Sequence, residues 1–357
     1  MHYKKAPHRK VKTGCLPCKK RRVKCDEARP ICRQCDRHSL KCSFTLSVKT
    51  PDNALSATPS YSYADFKLLH HWSVATADSL APNESLQRAM REVIPLLAIN
   101  HEYLMHGLLA LSSLHLAYLR PTEAKIYELQ ATHHQHLALP LFRAALTDVT
   151  ASNCHALYAC GHLVTKSAFA SQHLRRGLIF SPTTDTTFEF FSLLRGAFSI
   201  HNHAYDWLTS GPLAFCLEQP LDANPKFDLY PDDPHLARLL SMLLANDSED
   251  VNVCCGALNN LRKLLAMAST PHQTISTKTL VFSWPMEVSE RYLELVGENK
   301  PEAILVLAHY CVMLKMVDSF WFMRGSAVNI LRQCQQVLEP RWQQYIDWPV
   351  KVVGIDC

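Results

Sequence analysis

Six cysteines between Cys15 and Cys42 constrain this chain more than any other feature of its sequence. They form two C-x2-C-x6-C units, Cys15/Cys18/Cys25 and Cys32/Cys35/Cys42, offset by seventeen residues and joined by a six-residue loop that contains Pro30. A C-x2-C pair puts two thiolates on one turn of chain, and the third cysteine closes from the far side of a short helix and an extended segment. That is metal-ligand spacing. Three ligands cannot complete a tetrahedral zinc site, but six sulfurs with two of them bridging give each of two zinc ions four ligands. The competing framework, a set of disulfides, needs a secretory context, and the opening MHYKKAPHRKVK has no apolar signal-peptide core.

Charge is distributed as unevenly as the cysteines. Met1 to Lys49 carries fifteen Lys and Arg against three Asp and Glu, whereas the remainder carries 22 against 29, so the overall +5 hides a basic head on an acidic body. Such asymmetry fits a nucleic-acid-binding arm joined to a domain that does not bind nucleic acid. Lys19, Lys20, Arg21, Arg22 and Lys24 crowd the interval between Cys18 and Cys25, while the matching interval of the second unit, Asp36 to Lys41, is mixed in sign. Only the first unit can present a continuous cationic face, which predicts that its helix reads DNA. Arginine and lysine donate to guanine O6 and N7 in the major groove and also neutralise phosphates. Lys4, Lys5, Arg9, Lys10 and Lys12 form a further basic run suited to nuclear import.

Residues 10–45 resemble the fungal binuclear zinc cluster transcription factors, in which six cysteines at this spacing hold two zinc ions. The resemblance implies that Cys15 and Cys32 bridge, that Cys18 and Cys25 complete one ion and Cys35 and Cys42 the other, and that Pro30 is the loop proline. It also implies that Arg21 and Arg22 reach the bases of a CGG triplet, leaving Lys19, Lys20 and Lys24 for phosphates. Many members carry lysine where this chain has Arg22, and arginine suits guanine equally.

After Cys42 the sequence turns rich in Ser, Thr and Pro without an apolar heptad, so residues 46–61 are expected to be a linker between a domain at 1–45 and a larger one at 62–357. From Tyr63 onward the pattern is helical. His101 to Leu119 is apolar almost all round, with Gly107, Ala110, Ser112, Ser113 and Ala117 small enough for close packing, and predicts a buried central helix. Lys125–Thr147, Asn153–Ser171, Thr186–Thr209, His235–Leu244, Asn252–Ala268 and Glu302–Gly325 repeat the reading. The expected fold is a small zinc-stabilised binuclear cluster domain followed by a large all-α domain of about ten helices. With 48% hydrophobic and 19% charged residues, the larger part can bury a core. Its most apolar run, Ala303 to Leu314, contains His309 and is too short to span a membrane. The eight cysteines outside the cluster lack a spacing pattern and are expected to be reduced and packed.

Parts of the larger domain, Tyr63–Thr76, Val93–Leu119, Phe190–Ile200 and Ala303–Ile355, resemble the regulatory domain of zinc cluster factors, especially the sterol uptake control branch. The resemblance implies control of sterol-related or secondary-metabolite genes. An enzyme is not expected. HEYLMH at His101–His106 spaces its histidines five apart, about 140 degrees round a helix, unlike the i, i+4 pair of a zinc protease. His133 with His136 could share a ligand at i, i+3, but no carboxylate partner is indicated, and phosphate-loop and nucleophile-elbow motifs are missing. The sequence therefore reads as a nuclear, sequence-specific DNA-binding regulator of RNA polymerase II type with zinc as structural metal. Its partners on this reading are double-stranded DNA, an apolar small molecule suggested by Phe320, Trp321, Phe322 and Met323, and a second copy of the chain through the helical domain. The alternative is a zinc cluster that docks onto protein, with the helical part as an interaction or enzyme module.

Overall fold

Every residue from Tyr103 to Ala117 is buried, so the helix Glu102–Leu119 is enclosed on all sides, as its sequence predicts. The computed structural model describes residues 13–28, 31–43, 61–81, 83–175, 195–196, 199–214, 217, 230–246, 248–270 and 276–355. The chain divides into two compact units, Met1–Tyr61 and Ser62–Cys357, and no strand occurs among the described residues. Pro30, the Lys4–Lys12 basic run, residues 46–60 of the linker, and residues 186–194 and 197–198 of the predicted Thr186–Thr209 helix lie outside the described residues.

Around the central helix pack the helices Tyr63–His71, Ala124–Ala145 and Cys154–Arg175. A helix buried all round must bond its polar side chains internally. Ser112 Oγ donates to the Leu68 carbonyl at 2.7 Å, Ser113 Oγ to the Tyr127 carbonyl at 2.7 Å, and His115 Nδ1 meets Thr76 Oγ1 at 3.0 Å. A methyl group added at Gly107 would meet Cys160 Sγ at 3.6 Å, an ordinary contact, so the close approach there does not depend on glycine. Two π-helical turns, Trp72–Thr76 and Ala89–Val93, are tied together where the Trp72 indole donates to the Met90 carbonyl at 2.8 Å.

A second enclosed helix, Pro301–Lys315, is buried continuously from Ala303 to Leu314. Against it lie Glu249–Ala268, Glu290–Gly297, Ser326–Val337 and Asp347–Val353. Its Tyr310 stacks on Trp284 with centroids 4.3 Å apart. Trp284 belongs to the helix Thr277–Glu287, which contains Pro285. Proline has no N–H to give the carbonyl four residues back, and the Tyr310 hydroxyl takes up that carbonyl, Val281, at 2.9 Å. Here the structure corrects the expected span of Glu302 to Gly325. The helix ends at Lys315 and turns follow, closed where Asp318 Oδ1 accepts the Gly325 N–H at 2.6 Å and Gly325 takes φ +73°. In those turns Trp321, Phe322 and Met323 are all buried, because a non-helical path can send successive side chains inward from different directions.

Burial lowers the pKa of His115, His134 and His309 from 6.5 to about 4. The folded chain keeps these rings neutral and the unfolded chain protonates them, so their stability contribution is complete above about pH 6.5 and is lost as the pH falls toward 4. Urea midpoints of the full chain should therefore drop steadily from pH 7 to pH 4.5, with net uptake of protons on unfolding, to which His71, His101, His106, His155, His162 and His201, also lowered by burial, add. A midpoint constant over that interval would mean the folded chain protonates these rings freely.

Candidate metal centre and nucleic-acid interface

The cysteine region is built from one motif used twice. Helices Leu16–Lys20 and Arg33–Arg37 begin after Cys15 and Cys32, and each carries the second cysteine of its unit, Cys18 or Cys35, on its buried side. Each ends in the same way. Arg22 N–H donates to the Lys19 carbonyl and Val23 N–H to the Cys18 carbonyl, and seventeen residues on Ser39 N–H bonds to Asp36 and Leu40 N–H to Cys35. This double bond pattern is a Schellman ending, which places its residue in the left-handed region usually held by glycine. Here Arg22 and Ser39 occupy it, with φ of +57° and +51°. Left-handed backbone costs an ordinary residue about 1–2 kcal/mol, so both units are held closed by something beyond local preference.

Six thiols supply that closure. All six sit at 4% exposure or less, with half-buried Val23 packed against them. Cys15 Sγ lies 3.6 Å from both Cys32 and Cys35 Sγ, and Cys32 Sγ lies 3.6 Å from both Cys15 and Cys18 Sγ. A disulfide needs about 2.05 Å, so these are separate thiols. Zinc–sulfur bonds of about 2.3 Å in a tetrahedron set sulfurs about 3.8 Å apart, and the observed separations match that edge. The cross pattern, in which each unit's first cysteine approaches the other unit's pair, suits two sulfurs shared between two ions. Cys15, Cys18, Cys32 and Cys35 sulfurs all lie within 4.8 Å of one another.

Backbone groups tune the thiols. Burial, and then the neighbouring Cys32 and Cys15 sulfurs, push the Cys35 thiol up to about 12. Burial alone would also raise Cys25, but the N–H groups of Cys15 and Glu27, at 3.5 and 3.4 Å from its sulfur, outweigh it and lower the pKa. Crowded thiols of this kind resist ionising together, and a dication replaces their protons with shared positive charge. The two units are also pinned to each other, since Asp26 Oδ1 accepts the Arg33 N–H at 3.1 Å and Ser43 Oγ accepts the Leu16 N–H at 2.8 Å.

Lys19, Lys20, Arg21, Arg22 and Lys24 are all exposed. The helix that carries the first two is only five residues long, so the cationic surface is not a helix face. It wraps the helix's C-terminal end, with Lys19 and Lys20 in the last turn, Arg21 as the cap and Arg22 beyond it. Cations are favoured there by the carbonyl end of the helix.

Elsewhere the structure brings together residues that the sequence did not pair. His134, rather than His133 or His136, is buried, with its Nδ1 3.1 Å from His106 Nδ1 and its Nε2 3.2 Å from Asp65 Oδ1. Only two ring nitrogens converge, fewer than the three or four protein ligands of a zinc site. Cys154, Cys160, Cys254, Cys255, Cys311 and Cys334 are buried free thiols, as expected for packed cysteines, while Cys216 and Cys357 lie outside the described residues. No helix among the described residues is long and apolar enough to cross a membrane.

A buried set of six thiols beneath a basic surface, followed by a helical unit, defines a zinc cluster DNA-binding regulator. Residues 13–51 match the fungal Zn(2)-Cys(6) binuclear cluster domain, which binds two zinc ions, and residues 67–171 match the fungal specific transcription factor domain. The chain thus carries the two domains found in fungal zinc cluster transcription factors and is a DNA-binding transcription regulator, and the families these domains match are transcription factor families, not enzymatic ones. It is 25% identical to a Zn(2)-C6 fungal-type transcription factor of Aspergillus fumigatus, afumD, over 85% of each chain. It is 21% identical to a Zn(2)-C6 fungal-type transcription factor of Gibberella zeae over 98% of this chain and 87% of that one. Sterol uptake control protein 2 of Saccharomyces cerevisiae is 55% identical, but over 38 residues that make up 11% of this chain and 4% of its own. That likeness is confined to the cluster, so it lends the helical unit no sterol-related property.

Proposed function

We propose that residues 1–45 form the DNA-binding domain, 46–61 a linker and 62–357 a regulatory domain, in a protein that acts in the nucleus. Cys15 and Cys32 bridge two zinc ions, Cys18 and Cys25 complete one, and Cys35 and Cys42 the other. The observation that carries this is the cross pattern of 3.6 Å sulfur contacts between the two units. Arg21 and Arg22 read guanines of a CGG-containing site, and Lys19, Lys20 and Lys24 contact phosphates. An arginine at the helix cap and a second one beyond it project from the end of the helix, where a groove can be entered without the helix lying along it.

The pathway expectation, sterol-related or secondary-metabolite genes, keeps only the support of the cluster's resemblance. An apolar ligand loses its main motive, since core contacts account for Trp321, Phe322 and Met323. A second copy of the chain through the helical domain remains a partner that sizing experiments address.

Alanine at Arg21 or Arg22 should reduce discrimination for the half-site guanines by about 1–3 kcal/mol, the worth of a bidentate base contact. Lys19→Ala should weaken binding to every sequence alike and lower the salt slope by about one. Competition titrations with cognate and scrambled duplexes separate the two behaviours. Equal losses on both duplexes for the arginine variants would remove the base-reading assignment.

A further inference from the structure

A cavity of about 280 Å³ opens between the helix Asp233–Leu243, the enclosed helix Pro301–Lys315 and the segment from Gln344 to Lys351. Its deepest polar group is His309, only 1% exposed. His309 Nδ1 donates to the Leu305 carbonyl at 2.8 Å, so the polar atom this ring can offer the cavity is Nε2, a bare acceptor. Trp348 walls the same space and is held by ring contacts to His235, nearly parallel at 5.1 Å, and to His309 at 5.7 Å.

The rim has a different character. Arg238, Lys351 and Asp347 are exposed at the mouth, and no ion pair among the described residues engages any of them. Two cations outnumber one carboxylate, and His309 is neutral because burial lowers its pKa to about 4. The complement to such a mouth is an anion, and the complement to a bare nitrogen on the floor is a hydroxyl or N–H donor. Size narrows the class further. The volume lies just below the roughly 300–1,000 Å³ range of small-molecule pockets, which suits a single ring and not a fused polycyclic body.

We propose that this cavity binds a small organic anion, a single-ring hydroxycarboxylate whose carboxylate meets Arg238 and Lys351 and whose hydroxyl donates to His309 Nε2. The site is lined by residues of the helical unit alone, so its failure would leave the DNA-binding reading untouched. The test is calorimetric titration of the zinc-loaded full chain with 4-hydroxybenzoate, and in parallel with benzoate and phenol. One saturable site is expected, with benzoate, which lacks the donor, and phenol, which lacks the carboxylate, each bound about tenfold more weakly. Arg238→Gln, at an exposed position that folding tolerates, should weaken 4-hydroxybenzoate about tenfold while leaving the melting temperature of the free protein in place. Absence of saturable binding up to about 10 mM, equal affinity for benzoate, or indifference to Arg238→Gln would each overturn the assignment.

Discussion

Stripping zinc from the purified chain with a strong chelator should unfold residues 13–43 while leaving the helical unit folded, and should abolish specific DNA binding. The expectation follows from how little else holds this region. Among its described residues the buried side chains beside the six thiols are few, Leu16 is 70% exposed and Ile31 40% exposed, and three non-glycine residues, Arg22, Glu27 and Ser39, sit in left-handed backbone. Burial cannot offset the chain entropy of so small a unit, so metal binding supplies the folding free energy. Elemental analysis before stripping should return two zinc ions per chain. Replacing Cys15 or Cys32 by serine should lose both ions, because each sulfur touches ligands of both units, whereas Cys18→Ser should first release one. Loss of a single ion from all three variants would show that no sulfur is shared.

The other large effect belongs to the helical unit. Trp284 is fully buried, stacks on Tyr310 at 4.3 Å, meets Tyr292 edge-on at 5.6 Å and donates to the Ala257 carbonyl at 2.9 Å. Trp284→Ala should cost about 3–5 kcal/mol in urea unfolding, much of what a domain of ordinary stability has. Tyr310 would lose its stacking partner, and with it the order of the hydroxyl that takes up the Val281 carbonyl left by Pro285. Leu96→Ala, at a position 64% exposed, should change stability by less than about 0.5 kcal/mol. A Trp284 variant no less stable than the Leu96 variant would mean that the second core packs differently.

The two enclosed helices and the six thiols were legible because their causes are written locally. Ligand spacing fixes the cluster, and long, largely apolar runs at 101–119 and 303–314 fix the two cores. Arg22 and Ser39 were hidden because no glycine marks their left-handed turns, and the constraint that holds them comes from sulfurs elsewhere in the cluster. The helix Thr277–Glu287 carries a proline that argues against it, outvoted by the Ser276 cap, which accepts the Thr279 N–H, and by the Tyr310 hydroxyl. Its neighbour Glu290–Gly297 has a comparable opening, with Ser289 accepting from Tyr292 N–H. The His106–His134–Asp65 group joins three helices, and no spacing within one of them could announce it.

Sequence-specific regulation by this chain requires the zinc cluster to present its basic surface to a particular DNA sequence. Fluorescence-anisotropy titration of the zinc-loaded full chain against a CGG-containing duplex and a scrambled duplex, at several salt concentrations, tests this most directly. The logarithm of the affinity should fall linearly with log salt on both duplexes, with a slope of several units for the phosphates neutralised, and the CGG duplex should bind tighter by a factor of about a thousand or more. Equal affinity for the two duplexes, or no binding at low salt by protein that carries both zinc ions, would contradict it and leave the cluster as a protein-docking module.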